Sequence, residues 1–135
     1  MILFVDDEPV FTSSYRDELE LENYNVVLKR KLDEAWAVLD EEGPSVQLLI
    51  LDVMMPSSDL IGMPDEGGMR TGLLFFEKVR QRFPDLPVVV FTNISDKNVK
   101  EFFEKQSRCW VMNKFDYLPY QLADKIKTIL DPSAQ

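Results

Sequence analysis

Leu48-Leu49-Ile50-Leu51-Asp52 is a run of four apolar residues that ends on a carboxylate, and the arrangement recurs along the chain. Ile2-Leu3-Phe4-Val5 runs into Asp6-Asp7, Val88-Val89-Val90-Phe91 runs into Thr92, and Cys109-Trp110-Val111-Met112 stops shortly before Lys114. Runs this short and this apolar read as strands buried on both faces, as in parallel sheets. Segments of helical periodicity lie between them, which gives five strand-helix pairs and βαβ connections. Parallel neighbours bring their carboxyl ends to one edge, where ligands of open α/β folds bind. Three carboxylates, a hydroxyl and an ammonium are therefore expected to meet there.

Working outward, Pro9 suits a first helical turn, and Phe11, Tyr15 and Leu19 repeat along one face until Asn23-Tyr24-Asn25 breaks the pattern. Val26-Val27-Leu28 is a short second strand. Asp33 is the expected cap of a second helix carrying Ala35, Val38 and Leu39, which Gly43-Pro44 ends. The third strand covers about residues 46–51. Residues 54–72 hold four of the five glycines with Pro56 and Pro64, so a long loop is expected there. Periodicity resumes with Leu73, Phe76, Val79 and Phe83. Ser95 or Asp96 is the expected cap of a fourth helix burying Val99, Phe102 and Phe103, and a last helix buries Leu122, Ile126 and Ile129 before Pro132.

A chain of 135 residues with 45% apolar composition suits one domain with one ordinary core, taken as residues 1–135. A net charge of −9 gives phosphate backbones no general reason to bind, so direct nucleic-acid binding is not expected. The single Cys109 sits in an apolar run as a reduced, buried thiol, and Asp6-Asp7-Glu8 cuts off the leading apolar stretch before it reaches signal-peptide length. No run approaches membrane-spanning length, and a cytoplasmic location is expected. The absence of histidine excludes a histidine base, metal ligand or phosphohistidine on this chain.

The expected cluster has a definite chemistry. A carboxylate attacks a phosphoryl group poorly until nearby negative charge is neutralised. Asp6, Asp7 and Asp52 supply hard oxygen ligands of the kind Mg²⁺ takes. Lys114 offers a point charge to one phosphoryl oxygen and Thr92 a hydrogen bond to another. Each residue alone has a plainer reading, as a capping turn, a solvated loop residue, a strand threonine or a surface lysine. Their joint occurrence at four successive strand ends carries the functional expectation.

These motifs resemble the receiver domain of two-component response regulators over nearly the whole chain. Phe4-Val5-Asp6-Asp7-Glu8-Pro9 is similar to the family's opening strand and acidic pair, and Leu51-Asp52-Val53-Met54-Met55-Pro56 to its phosphoacceptor strand. Phe91-Thr92 and Lys114 match the remaining invariant positions, while the Asp52 to Thr92 separation is longer by about ten residues, all within the Gly-rich loop. The resemblance implies an α/β fold, a flavodoxin-like doubly wound five-stranded parallel sheet with five helices in three α/β/α layers. It also implies that a histidine kinase or phosphotransfer protein phosphorylates Asp52, with Mg²⁺ held by Asp6, Asp7, Asp52 and the Met54 backbone carbonyl. Asp6 would act partly through water, and Thr92 and Lys114 would read the phosphoryl group. The domain would catalyse only its own phosphorylation and dephosphorylation. Output would pass through the fourth helix, fifth strand and fifth helix to a downstream protein or domain, with a phosphorylation-dependent homodimer among the expected partners.

Departures from the family pattern carry their own expectations. Val111 replaces the usual aromatic three residues before the lysine, so output is expected to use loop and helix shifts or Trp110. Phe115 replaces the usual proline, and a cis bond there would cost about 2.5–4 kcal/mol, so a trans bond is expected. Asn93 stands where a small residue admits the phosphodonor, and its amide is expected to narrow access. Met54 and Ile94, both apolar, cannot position a hydrolytic water, which implies slow self-dephosphorylation. Residues 57–71 are read as a solvated loop or as a lid selecting the partner. The alternative is a pseudo-receiver, an interaction module with the same acidic pocket and no phosphorylation. An Asp-nucleophile magnesium phosphatase is disfavoured because neither acidic motif has two aspartates spaced by one residue with the nucleophile first. Nucleotide binding is disfavoured because no Gly-rich phosphate loop follows the first strand.

Overall fold

The alternation between two faces of each central strand organises the molecule. The computed structural model describes residues 1–54, 69–93 and 96–131, with backbone alone for 69 and 70. Its elements are β1 (Ile2–Val5), α1 (Pro9–Leu21), β2 (Val26–Lys29), α2 (Leu32–Glu42), β3 (Leu48–Leu51), α3 (Met69–Arg82), β4 (Val88–Thr92), α4 (Lys97–Glu104), β5 (Cys109–Asn113) and α5 (Pro119–Leu130). A 3-10 turn at Gly43–Ser45 follows α2. All strand pairs are parallel and the order is β2-β1-β3-β4-β5, the doubly wound flavodoxin order.

Leu3, Val5, Leu49, Leu51, Val88 and Val90 face one side, where α2, α3 and α4 cover them with Leu39, Phe76 and Phe103 among others. Ile2, Phe4, Leu48, Ile50, Val89 and Phe91 face the other, under Tyr15 and Leu19 of α1 and Leu122 and Ile126 of α5. This is the expected three-layer α/β/α arrangement, and β1, β3 and β4 are buried along their whole length. Cys109 is a free buried thiol, and burial pushes its pKa up to about 12, so it stays protonated and inert. Asn23, with φ 69, takes the left-handed turn that ends α1, a conformation asparagine tolerates. Asp96 caps α4, accepting from the N–H groups of Asn98 and Val99 at 2.9 and 3.3 Å.

Several boundaries differ from the expectation. β3 begins at Leu48 because Val46 still closes the turn, its N–H reaching back to Gly43 O. Asp33 does not cap α2: the helix starts at Leu32, and Asp33 Oδ1 accepts from the adjacent Glu34 N–H within the first turn. The expected loop over residues 54–72 ends earlier, because α3 begins at Met69 and Gly72 is helical. Residues 55–68, together with Ile94, Ser95 and Pro132, lie outside the described residues.

Gly72 is there for contact rather than for flexibility. A Cβ on it would stand 2.2 Å from Val53 O and 2.7 Å from Val53 Cα, backbone atoms that cannot swing aside. Gly72→Ala is therefore expected to destabilise by about 1–3 kcal/mol by overpacking, although alanine in an open helix position gains about 1 kcal/mol. Urea denaturation measures it. A neutral or stabilised variant would show that the segment after β3 moves aside freely.

Candidate functional site

The sheet register builds the site. Val5 pairs with Leu51, Leu51 with Val90, and Thr92 with Asn113, so the next residues out leave the sheet at one edge. Ladder hydrogen bonds run one step further and fix the backbone of the site itself: Asp6 N–H to Lys29 O, Asp52 N–H to Val5 O and Lys114 N–H to Thr92 O, each at 3.0 Å. Asp6, Asp52, Thr92 and Lys114 are all buried, although each is polar. Buried polar groups must be paired, and these pair with one another.

Asp52 is the centre. Its Oδ1 accepts from Thr92 Oγ1 at 2.5 Å and from Met54 N–H at 2.9 Å, while its Oδ2 lies 3.0 Å from Lys114 Nζ. Lys114 Nζ also meets Asp6 Oδ2 at 2.8 Å and Glu8 Oε1 at 3.2 Å, and it sits 5.1 Å over the Phe11 ring. Asp6 Oδ1 accepts from Glu8 N–H at 2.8 Å. Asp7 is half-buried beside them, and one carboxylate oxygen from each of Asp6, Asp7, Glu8 and Asp52 falls within 4.8 Å of the others.

Four carboxylates face one ammonium, so the cluster carries excess negative charge. Burial raises the Asp6 carboxyl to about 6, because desolvation outweighs the attraction of Lys114 and the bond from the Glu8 N–H. Burial also pulls the Lys114 ammonium down, but the close carboxylates of Asp6 and Asp52 outweigh that, so its pKa lies above the ordinary lysine value. Asp6 Oδ2 approaches Lys114 closely without an aligned hydrogen bond, which leaves a buried anionic oxygen open to a further cation. Hard oxygen donors this close together, with excess charge, suit Mg²⁺.

Asp6, Asp7, Asp52, Thr92 and Lys114, the side chains expected from the sequence, are thus brought together. Met54 enters the described contacts through its N–H, and no described contact involves its carbonyl. Two contributors went unrecognised in the sequence: Glu8, whose only signal was its place directly after Asp6-Asp7, and Phe11, which read as an ordinary core position of α1. The Lys114-Phe115 bond is trans, as expected. Asn93 is exposed. Trp110 and Val111 are half-buried and line a groove of about 550 Å³ together with Tyr117, Gln121 and Lys125. Among the described residues no helix is long and apolar enough to cross a membrane.

The family model for the response regulator receiver domain matches residues 2–114. The transcriptional regulatory protein CpxR of Klebsiella pneumoniae is 43% identical over 58 residues, 43% of this chain and 24% of that protein. The transcriptional regulatory protein TrcR of Mycobacterium tuberculosis is 40% identical over 58 residues, covering 43% of this chain and 22% of that protein. The chain therefore aligns with less than a quarter of the length of these relatives. A CheY-like response regulator receiver domain protein from Methanospirillum hungatei superposes with a TM-score of 0.76 at 24% identity, covering 98% of this chain and 94% of that one. The chemotaxis response regulator CheY4 of Vibrio cholerae does so with a TM-score of 0.74 at 21% identity, covering 96% and 97%. At such identities these two likenesses speak for the fold alone. The family match runs from the first strand to the buried lysine, and the chain belongs to the response regulator receiver domain family.

Proposed function

We propose that this chain, read as one receiver domain over residues 1–135, accepts a phosphoryl group on Asp52 from a histidine kinase or phosphotransfer protein. The observation that carries the reading is the setting of Asp52. It is a buried carboxylate gripped by a hydroxyl, a backbone N–H and an ammonium, with a second acidic pair alongside. Asp6, Asp7 and Asp52 would hold Mg²⁺ with the Met54 carbonyl, and the bound ion would neutralise charge on the phosphoryl oxygens during transfer.

Asp52 Oδ2 is the oxygen suited to attack, because Oδ1 already holds two donors. Its bond to phosphorus forms as the bond from phosphorus to the donor's imidazole nitrogen breaks. The electron pair leaves with the imidazole, which takes a proton from solvent. Thr92 Oγ1, Met54 N–H and Lys114 Nζ stand around the same carboxyl and are placed to bond the oxygens of the group it receives. A protein that performs this single transfer on itself is a signalling element rather than a turnover enzyme, and cytoplasmic kinase and output partners follow from the reading. The groove beside Trp110 and Val111 lies on the β5 and α5 surface through which output would pass.

Intact mass spectrometry after incubation with acetyl phosphate tests the reading. One phosphoryl group gained only with Mg²⁺, and none in Asp52→Asn, is the expected result. No gain in the unsubstituted chain from acetyl phosphate or from a phosphorylated kinase would favour a pseudo-receiver instead.

A further inference from the structure

Glu8 stands directly before α1 in the position of a cap, yet its side chain makes no capping bond. Its backbone is held from both sides. The N–H donates to Asp6 Oδ1 at 2.8 Å, and the carbonyl accepts from Thr12 N–H at 3.1 Å and Thr12 Oγ1 at 3.2 Å. The side chain is thereby directed to Lys114, with Oε1 3.2 Å from Nζ, while 63% of it stays exposed to solvent.

An ammonium has three N–H donors, and Lys114 has three carboxylate oxygens within 3.2 Å. Two of these donors are bonded to Glu8 and Asp52 and Asp6 Oδ2 crowds the ammonium at 2.8 Å, so an incoming phosphoryl oxygen must displace a carboxylate. Asp6 and Asp52 are buried and fixed by their other bonds. Glu8 is the partner that can release Lys114 by rotating into water. Until it does, its charge stands within 4.8 Å of an Asp52 oxygen, on the solvent side of the pocket.

We infer that Glu8 is a specificity-determining positioning residue that tethers Lys114 and charges the mouth of the site. The inference rests on Asp52 being the phosphoacceptor. Small dianionic phosphodonors meet this charge and react slowly. A donor with a positive group beside its phosphoryl pairs with Glu8, frees Lys114 and reacts faster. The fitting partner is therefore a protein whose phosphorylated imidazole is flanked by a lysine or arginine.

Labelling rates of the unsubstituted chain and Glu8→Gln are compared with acetyl phosphate, a dianion, and phosphoramidate, which carries its own ammonium. Glu8→Gln is expected to speed acetyl phosphate by about three- to tenfold, the scale of one removed charge at short range, and phosphoramidate by less than about twofold. The acetyl phosphate rate of the unsubstituted chain should rise with salt more steeply than that of the variant. The Mg²⁺ dissociation constant, measured by calorimetry without any donor, should rise by less than about tenfold, because the same lost charge acts on a divalent cation. Equal effects on both donors, or none, would overturn the inference while leaving Asp52 labelled. A loss of Mg²⁺ affinity of about tenfold or more would make Glu8 a metal ligand and overturn it too. No label from either small donor while a phosphorylated kinase labels Asp52 would overturn the inference alone; no label from the kinase either would fail the phosphoacceptor reading, and the inference falls with it.

Discussion

Lys114→Met is expected to cost about 3–5 kcal/mol of stability in magnesium-free buffer near pH 7.5, the scale for removing one partner of a buried ion pair. Lys114 is almost fully buried and is the cation that Asp6 and Asp52 face. Without it, four neighbouring carboxylates are left to repel one another. Two treatments should return part of the loss. Saturating Mg²⁺ at about a hundred times its dissociation constant should restore about 2.7 kcal/mol by binding the folded state. Acid should also help, because the Asp6 carboxyl has a folded pKa of about 6, above the unfolded value of about 3.9. An acid raised in this way favours the fold when protonated. Its contribution is complete below about pH 4 and is lost as pH rises through about 6. Removing Lys114 takes away the attraction that holds this carboxyl down, so in the variant Asp6 is raised further and gains more from protonation. The variant should therefore lie closer to the unsubstituted chain at pH 5 than at pH 7.5. Urea denaturation at both pH values checks this, and a loss below about 1 kcal/mol at pH 7.5 would show that Lys114 does not balance the cluster.

Arg80→Met should have the next largest effect, about 2–4 kcal/mol, at the end of the sheet opposite the site. The Arg80 guanidinium donates to five carbonyls: Phe83, Pro84 and Leu86 through one nitrogen and Ser107 and Arg108 through the other. It joins the end of α3 to the turns that enter β4 and β5. Arg108 holds a left-handed φ of 52 there, its Nε donating to Asp85 O at 2.7 Å and its carbonyl accepting from Val88 N–H at 3.0 Å. The fork of a guanidinium serves several carbonyls at once, which a lysine ammonium cannot copy. Arg80→Lys should recover less than half of the loss. A methionine variant within about 1 kcal/mol of the unsubstituted chain would mean that water replaces these bonds freely.

What the sequence discloses depends on how local the determining contact is. β1, β3 and β4 are buried on both faces, so unbroken apolar runs marked them plainly. Lys29 closes β2, which is half-buried throughout, so its end was less distinct. Gly72 carries no sign of whether it bends a chain or admits a neighbouring backbone, and only the approach of Val53 decides for the second. Asp33 had the chemistry of a cap two residues too late, because the cap position of α2 is Lys31. In the site, Asp6, Asp52, Thr92 and Lys114 were legible because a strand end fixes where each residue emerges. Glu8 was hidden because its part depends on which way a long, exposed side chain turns, and the Met54 N–H because backbone donors leave no mark on residue type. Arg80 was hidden for the same reason, since its partners are carbonyls from separate turns.

The central claim is that Asp52 itself forms the acyl phosphate. Borohydride reduction of the chain labelled in Mg²⁺, followed by peptide mapping, locates the bond, because an aspartyl phosphate is reduced to homoserine. Homoserine at position 52 and nowhere else is the expected result. A reduced residue at position 6, 7 or 8, or none at all in a chain that has gained a phosphoryl group, would contradict it.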